Sequence, residues 1–342
     1  MVLADDWTEQ CGHVTDAPGL PGPRVLVNGS TRSGPRQAGL LCCGRFRALH
    51  HEIGSGNMMG KIVLVTGASG GFGALAARAL AEAGHTVYAA ISQDADPKRA
   101  AAAEMEDYSR RRSLSLRAVG LEANDQRSVD AAVAEVSDEA GQIDVVIHSP
   151  GRMALGPAEA FTPYRLSQLY DENVLSSQRV NRAVLPEMRA RRDGLLVWVG
   201  PAVPDGALPY LGPFFAARAA ADYLARSYAA ELASFGIETS IVTTGAHVCG
   251  RASLIYPVDA ETMAAYRDLL PGPLDQADGR LARLTPDATS AAGAVVTLVD
   301  TPKGGRPFSV IAESAGADSP RKRPDSYRYR GPSDSPVTGD EE

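Results

Sequence analysis

Short apolar runs alternate along residues 58–312 with longer segments whose apolar positions recur at helical spacing. The runs predict strands over 61–66, 86–92, 115–121, 143–148, 195–200, 237–244 and 307–312. Helical patterns lie between them near 72–84, 98–111, 126–140, 164–192, 213–234 and 287–298. Ile143-Asp144-Val145-Val146-Ile147 is nearly continuous in its apolar character, as a strand covered on both faces requires. The alternation predicts an α/β chain with one doubly wound parallel sheet of about seven strands and helices on both faces. No internal repeat and no second-domain boundary interrupts 58–312.

The flanks read differently. Residues 1–57 lack sustained periodicity and are broken by Pro18, Gly19, Pro21, Gly22, Pro23, Gly29, Gly34 and Pro35, so they read as a disordered extension. Met58-Met59 stands directly before the first strand, which makes the upstream segment a translated leader or an over-long reading frame; the alternative is a partner-binding arm. The stretch 249–285, with Pro257, Pro271 and Pro273 and a short helical pattern at 259–269, reads as a lid or as a plain long connection. Beyond 313 the chain is polar and reads as a disordered tail; Arg321-Lys322-Arg323 there could contact an anion or simply be solvated.

The first predicted strand runs into Thr66-Gly67-Ala68-Ser69-Gly70-Gly71-Phe72-Gly73 and then into a helix of small residues. A turn stripped of side chains lets backbone approach a pyrophosphate, and the helix N-terminus offers unpaired N–H groups and a positive dipole end. Gly67, Gly71 and Gly73 are the positions where a Cβ would obstruct that approach or the helix–strand packing. This reads as a Rossmann-type sheet with a dinucleotide as its ligand; the alternative is a glycine turn that binds nothing.

Composition narrows the alternatives. At 44% hydrophobic and 22% charged the chain can bury a core, and a net charge of −7 gives no reason to expect nucleic acid as a partner. No apolar run approaches the roughly 20 residues of a membrane helix, and Met1-Val-Leu-Ala-Asp5-Asp6 lacks a secretion-signal pattern, so a cytoplasmic protein is expected. Cys11, Cys42, Cys43 and Cys249 form no CxxC pair and no metal-ligand spacing, so neither a metal nor a disulfide framework is expected.

The spacing Thr66-Gly67-x3-Gly71-x-Gly73 resembles the short-chain dehydrogenase/reductase superfamily over roughly 59–312. Asn173 in Asp171-Glu-Asn173-Val, Gly151 closing His148-Ser149-Pro150-Gly151, and Ala216-Ala217-Arg218-Ala219-Ala220 support the likeness. In that family a Tyr-x-x-x-Lys pair, a serine thirteen residues before the tyrosine and an upstream asparagine protonate the carbonyl oxygen and hold the nicotinamide ribose. With Arg218 at the lysine position, Phe214 stands where the tyrosine belongs and Pro201 where the serine belongs; only Asn173 is kept. Phenylalanine has no proton to give, and proline has neither hydroxyl nor N–H. The motif Asn-Asn-Ala-Gly has become His148-Ser149-Pro150-Gly151, and the Pro-Gly after strand six has become Thr244-Gly245, followed by Ala246-His247-Val248-Cys249. The resemblance therefore implies an intact pyrophosphate half and a rebuilt nicotinamide and substrate half.

Carried over residue by residue, the resemblance implies a cofactor site of Gly67, Ser69, Gly71, Phe72, Gly73, Ser92, Glu122, Ala123, Gly151, Arg218, Thr244 and Gly245. It leaves Asn173, Arg218 and Ser149 as catalytic candidates. Ala89-Ala90-Ile91-Ser92-Gln93 has no acid to accept both ribose hydroxyls, and Ser92, with Lys98 or Arg99, could meet a 2′-phosphate; NADP(H) is favoured over NAD(H). Glu122 falls where an adenine-binding aspartate often lies, or it is an ordinary loop carboxylate.

Losing a positioned general acid costs roughly 10²–10⁴ in rate, about 3–5 kcal/mol of barrier. Arg218 could stabilise developing charge or merely replace lysine on the ribose. Ser149, His247 or Tyr210 could substitute as donor. The substrate itself could supply the proton from a phenol beside its ketone, as in the atypical reductases of aromatic polyketide (angucyclinone) pathways that this chain resembles. The expectation is an NAD(P)H-dependent ketoreductase of a bulky aromatic ketone; the resemblance further implies a homo-oligomer (dimer or tetramer) pairing through 164–192 and 213–234. A catalytically silent NADP(H) sensor or scaffold, or a non-redox enzyme on the same fold, stands against it.

Overall fold

The computed structural model describes residues 60–92, 96–149, 151–204, 208–244, 254–266 and 288–312, all within the unit Met58–Glu342. The extension 1–57, the tail from 313, Pro150, Gly245, His247, Cys249 and most of the lid stretch lie outside these residues, as does the side chain of Lys98.

Seven parallel strands form the main sheet: β1 (Ile62–Thr66), β2 (Thr86–Ile91), β3 (Leu116–Gly120), β4 (Val145–His148), β6 (Gly194–Pro201), β7 (Ile237–Thr244) and β9 (Ser309–Ile311). Their order is β3-β2-β1-β4-β6-β7-β9. The chain winds outward from β1 to β3, then returns to lay β4 on the other side of β1. That reversal places the glycine turn at the topological switch point, outside the strands' carboxyl ends, where ligands of such sheets bind.

Alternation along the strands explains the two layers. Leu64, Tyr88, Val146, Leu196, Trp198 and Ile241 face α3 (Gln126–Ala140), α5 (Ser176–Arg191) and α6 (Gly212–Leu232). Val63, Val65, Val87, Val145, Ile147 and Val197 face α1 (Gly71–Glu82), α2 (Asp96–Arg112) and α8 (Ala288–Asp300). The central strands are apolar on both faces because both faces are covered.

The expected helix over 164–192 is observed in three parts. Thr162 caps α4 (Pro163–Tyr170), its hydroxyl accepting from Arg165 N at 3.2 Å. A π turn over Asp171–Leu175 interrupts the helix at Asn173, and α5 follows. Such turns carry no hydrophobic periodicity of their own, and they are frequent at functional sites. The pattern also misses the parallel pairing of β5 (Met153–Ala154) with β8 (Leu254–Ile255), two residues being too few to show alternation. Because β5 follows β4 and β8 follows β7, this small sheet lies at the carboxyl end of the main one. It is joined there by α7 (Ala260–Ala265), whose cap Asp259 accepts from Thr262 N at 3.0 Å.

Candidate active site

The glycine turn has the geometry of an open cradle. Gly67 and Gly71 adopt φ of 70° and 56°, a region that side chains rarely enter. A Cβ on Gly73 would lie 2.4 Å from the Gly67 carbonyl oxygen, so only glycine lets α1 pack this close to the turn. Ala68 N donates to Ala90 O at 3.1 Å and ties the turn to β2. Gly70 precedes α1 with no side chain capping its N–H groups. Thr66, Ser69 and Phe72 flank the opening; Thr66 Oγ1 donates to Ile147 O at 3.4 Å, and Phe72 packs against the core beneath. Uncapped N–H groups at the start of α1, beside a turn in which Gly67 and Gly71 take positive φ and Gly73 has no room for a Cβ, fit a dinucleotide pyrophosphate.

Beside it, the ends of β2 and β3 meet. Ser92 Oγ donates to the Glu122 carboxylate, with 2.6 Å to each oxygen. The parallel register Ile91↔Gly120 forces this meeting, and spacing along one strand cannot reveal it. Glu122 follows β3 by two residues, so a carboxylate stands beside the end of β2 although β2 itself ends without one. Glu122 N donates to Ser128 Oγ at 2.9 Å, and Arg179 reaches from α5 to Ala123 O at 3.2 Å and Asp171 at 2.5 Å, fixing the loop.

The other half is built from β4, the π turn, β6 and α6. Asn173 is buried; its Nδ2 donates to Leu169 O at 2.9 Å and to Arg152 O at 3.4 Å. Gly151 (φ 101°) lies over it so closely that a Cβ would stand 1.9 Å from Asn173 Oδ1. Arg152 and Glu172 form a bidentate ion pair at the rim, with contacts of 2.9 and 2.6 Å. Ser149 is half-buried at the end of β4, next to His148, which is fully buried. His148 Nε2 lies 2.8 Å from Asn181 Oδ1, its ring rests 4.9 Å from Trp198, and burial pushes its pKa down to about 4. At neutral pH it is an uncharged core residue.

Arg218 is also buried. Its Nη2 pairs with Asp222 at 2.7 Å, one turn along α6, and Nη1 donates to Val199 O at 3.3 Å. Burial lowers its pKa and the Asp222 charge raises it. A Cβ on Gly200 would come within 2.6 Å of Nη1, so Gly200 makes room for the guanidinium. The sequence reading missed both partners, although Asp222 at i+4 is a recognisable helix pair. Phe214 packs edge-on against Phe215 (5.2 Å) in an apolar cluster with Met153, Leu155, Phe161 and Leu211. Thr244 is buried at the end of β7. Among the described residues no group of three or more His, Cys, Asp or Glu is arranged to hold a metal, and no helix is long and apolar enough to cross a membrane.

The family model described as short chain dehydrogenase matches residues 61–251. The chain belongs to the short-chain dehydrogenase family. A solved short-chain dehydrogenase from Streptomyces avermitilis superposes with a TM-score of 0.60 at 27% identity, over 75% of this chain and 89% of that one. Actinorhodin polyketide ketoreductase with NADPH superposes with a TM-score of 0.61 at 20% identity, over 75% of this chain and 96% of that one, a likeness of fold. In sequence the chain is 29% identical to 3-ketodihydrosphingosine reductase of Bacteroides thetaiotaomicron over 55% of its own length and 64% of the relative's. It is likewise 29% identical to the 3-oxoacyl-[acyl-carrier-protein] reductase of Vibrio harveyi, over 55% and 74%. The match thus spans just under two thirds of the Bacteroides relative.

Proposed function

We propose that this short-chain dehydrogenase is an NAD(P)H-dependent ketoreductase acting on a bulky aromatic, polyketide-type ketone without a tyrosine acid. One observation carries the reading. The glycine cradle is shaped for a dinucleotide, while position 214, where the family's acid would stand, is a phenylalanine packed among apolar side chains. Reduction of a ketone is also what the names of the reductase relatives describe. NADP(H) is favoured because β2 ends without an acid, with Ser92 at its end and Arg99 close in sequence; Glu122 beside Ser92 is the feature that opposes it.

When bound, the cofactor supplies the hydride. The chain's residues bind and orient: the N–H groups of α1 hold the pyrophosphate, Asn173 supports Gly151, and the apolar cluster around Phe214 takes the aromatic body and excludes water. Arg218 is already neutralised by Asp222 and is best read as a positioning group under β6. Ser149 remains a candidate to touch the substrate oxygen. The proton comes from a substrate phenol already hydrogen-bonded to the ketone, leaving a delocalised phenolate. The protein works in the cytoplasm as a homo-oligomer; Tyr164 and Tyr223, 72% and 73% exposed on α4 and α6, support pairing there, and sedimentation tests it.

NADPH consumption with a peri-hydroxy tetralone and with unsubstituted tetralone tests the mechanism. Rapid turnover of the phenol-bearing ketone alone supports it, and equal rates contradict it. Turnover of neither, with NADPH held tightly, favours a silent NADP(H) sensor, a reading supported by the neutralised Arg218.

A further inference from the structure

Tyr210 is doubly out of place. It lies just before α6, four residues ahead of Phe214, with φ at +68°. That region suits glycine, and a bulky ring there is a genuine outlier. The conformation is held from outside, because Gly156 N donates to the Tyr210 carbonyl at 2.9 Å. Its ring leans on the apolar cluster that contains Phe214 and Leu211. Its phenolic oxygen is shielded from solvent and has no hydrogen-bond partner among the described residues. A phenylalanine would pack equally well without burying an unpaired hydroxyl, and a glycine would relieve the backbone. A second phenol lies nearby: Tyr266, just after α7, donates to Glu159 at 2.7 Å, and its pKa is raised by that carboxylate and further by Tyr210.

We propose that Tyr210 is the hydrogen-bond anchor for a phenol or phenolate oxygen of the aromatic substrate, and so selects hydroxylated rings over plain ones. The strained turn holds one unpaired hydroxyl beside the apolar cluster of Phe214 and Leu211, where a ligand oxygen that reached it would supply the hydrogen bond it lacks. The anchor rests on the ketoreductase reading for its purpose, since it would hold the oxygen that has given up its proton. It does not need that reading for its binding.

Calorimetry without cofactor, using 1-hydroxyanthraquinone and its methyl ether as probes, separates the two. Tyr210→Phe should weaken the phenol about tenfold, as loss of one buried hydrogen bond implies. It should leave the methyl ether within about twofold, as nonpolar contacts persist. The Tyr210→Phe protein should melt no lower than wild type, since it keeps the packed ring and removes only an unpaired hydroxyl, which shows that the effect is not misfolding. Equal loss for both probes, or loss for neither, overturns the anchor. Selective loss in a protein that reduces no ketone keeps the anchor and removes the reductase reading. Ketone reduction by a Tyr210→Phe protein whose phenol affinity is unchanged does the reverse.

Discussion

The two ends of this site are built by opposite rules. Around β1 and α1 the chain removes side chains, at Gly67, Gly71 and Gly73, and leaves backbone N–H groups uncapped. Around β6 and α6 it fills space, with Phe214, Phe215 and Leu211 packed together and Arg218 sealed against Val199 and Asp222. The turn has no room for a Cβ at Gly73, whereas a side-chain site can be remade one residue at a time. On the function proposed above, the difference means that a cofactor grip and an acid are separable within one fold.

The largest expected effect is at the first region. Gly73→Val should abolish NADPH binding, a loss beyond about a hundredfold in titrations, since even a Cβ meets the Gly67 carbonyl at 2.4 Å. Retained affinity would show that the cradle is not the grip. Phe214→Tyr sharpens the contrast from the other side: returning a phenol should raise turnover of unsubstituted tetralone by about 10²-fold, the low end for a general acid. Gly200→Ala should push the Arg218 guanidinium off Val199, lowering turnover about tenfold with NADPH affinity little changed if Arg218 only positions.

A smaller effect is read in stability. His148 titrates near 4 when folded against 6.5 in its ordinary state, so below 6.5 the unfolded chain binds more protons than the folded one. Stability is therefore full above 6.5 and falls as pH drops toward 4, by an upper bound of about 3 kcal/mol. Urea unfolding at successive pH values should show this slope, and His148→Gln should flatten it. The smallest effect is in cofactor preference. Glu122→Gln should shift selectivity toward NADPH by severalfold, by removing a negative charge beside Ser92.

Most of the fold was legible because strands buried on both faces announce themselves: the expected strands 61–66 and 237–244 match β1 and β7 to within a residue at either end. The cradle was legible for a similar reason, glycines at fixed spacing having few other uses. What escaped the sequence depends on neighbours distant along the chain. Ser92 meets Glu122 through sheet register, and the strain at Tyr210 exists only once Gly156 holds its carbonyl. Arg218 read as an available charge and is found paired, because Asp222 and the room made by Gly200 become partners only when α6 packs on β6.

The most direct test of the separation is one rate ratio. At saturating NADPH, a peri-hydroxy tetralone and its methyl ether present the same ketone and nearly the same shape, and differ in the proton. The account predicts reduction of the phenol at least about a hundredfold faster than the ether, the scale of a positioned general acid. Equal rates would contradict it and mean that the protein supplies the proton after all.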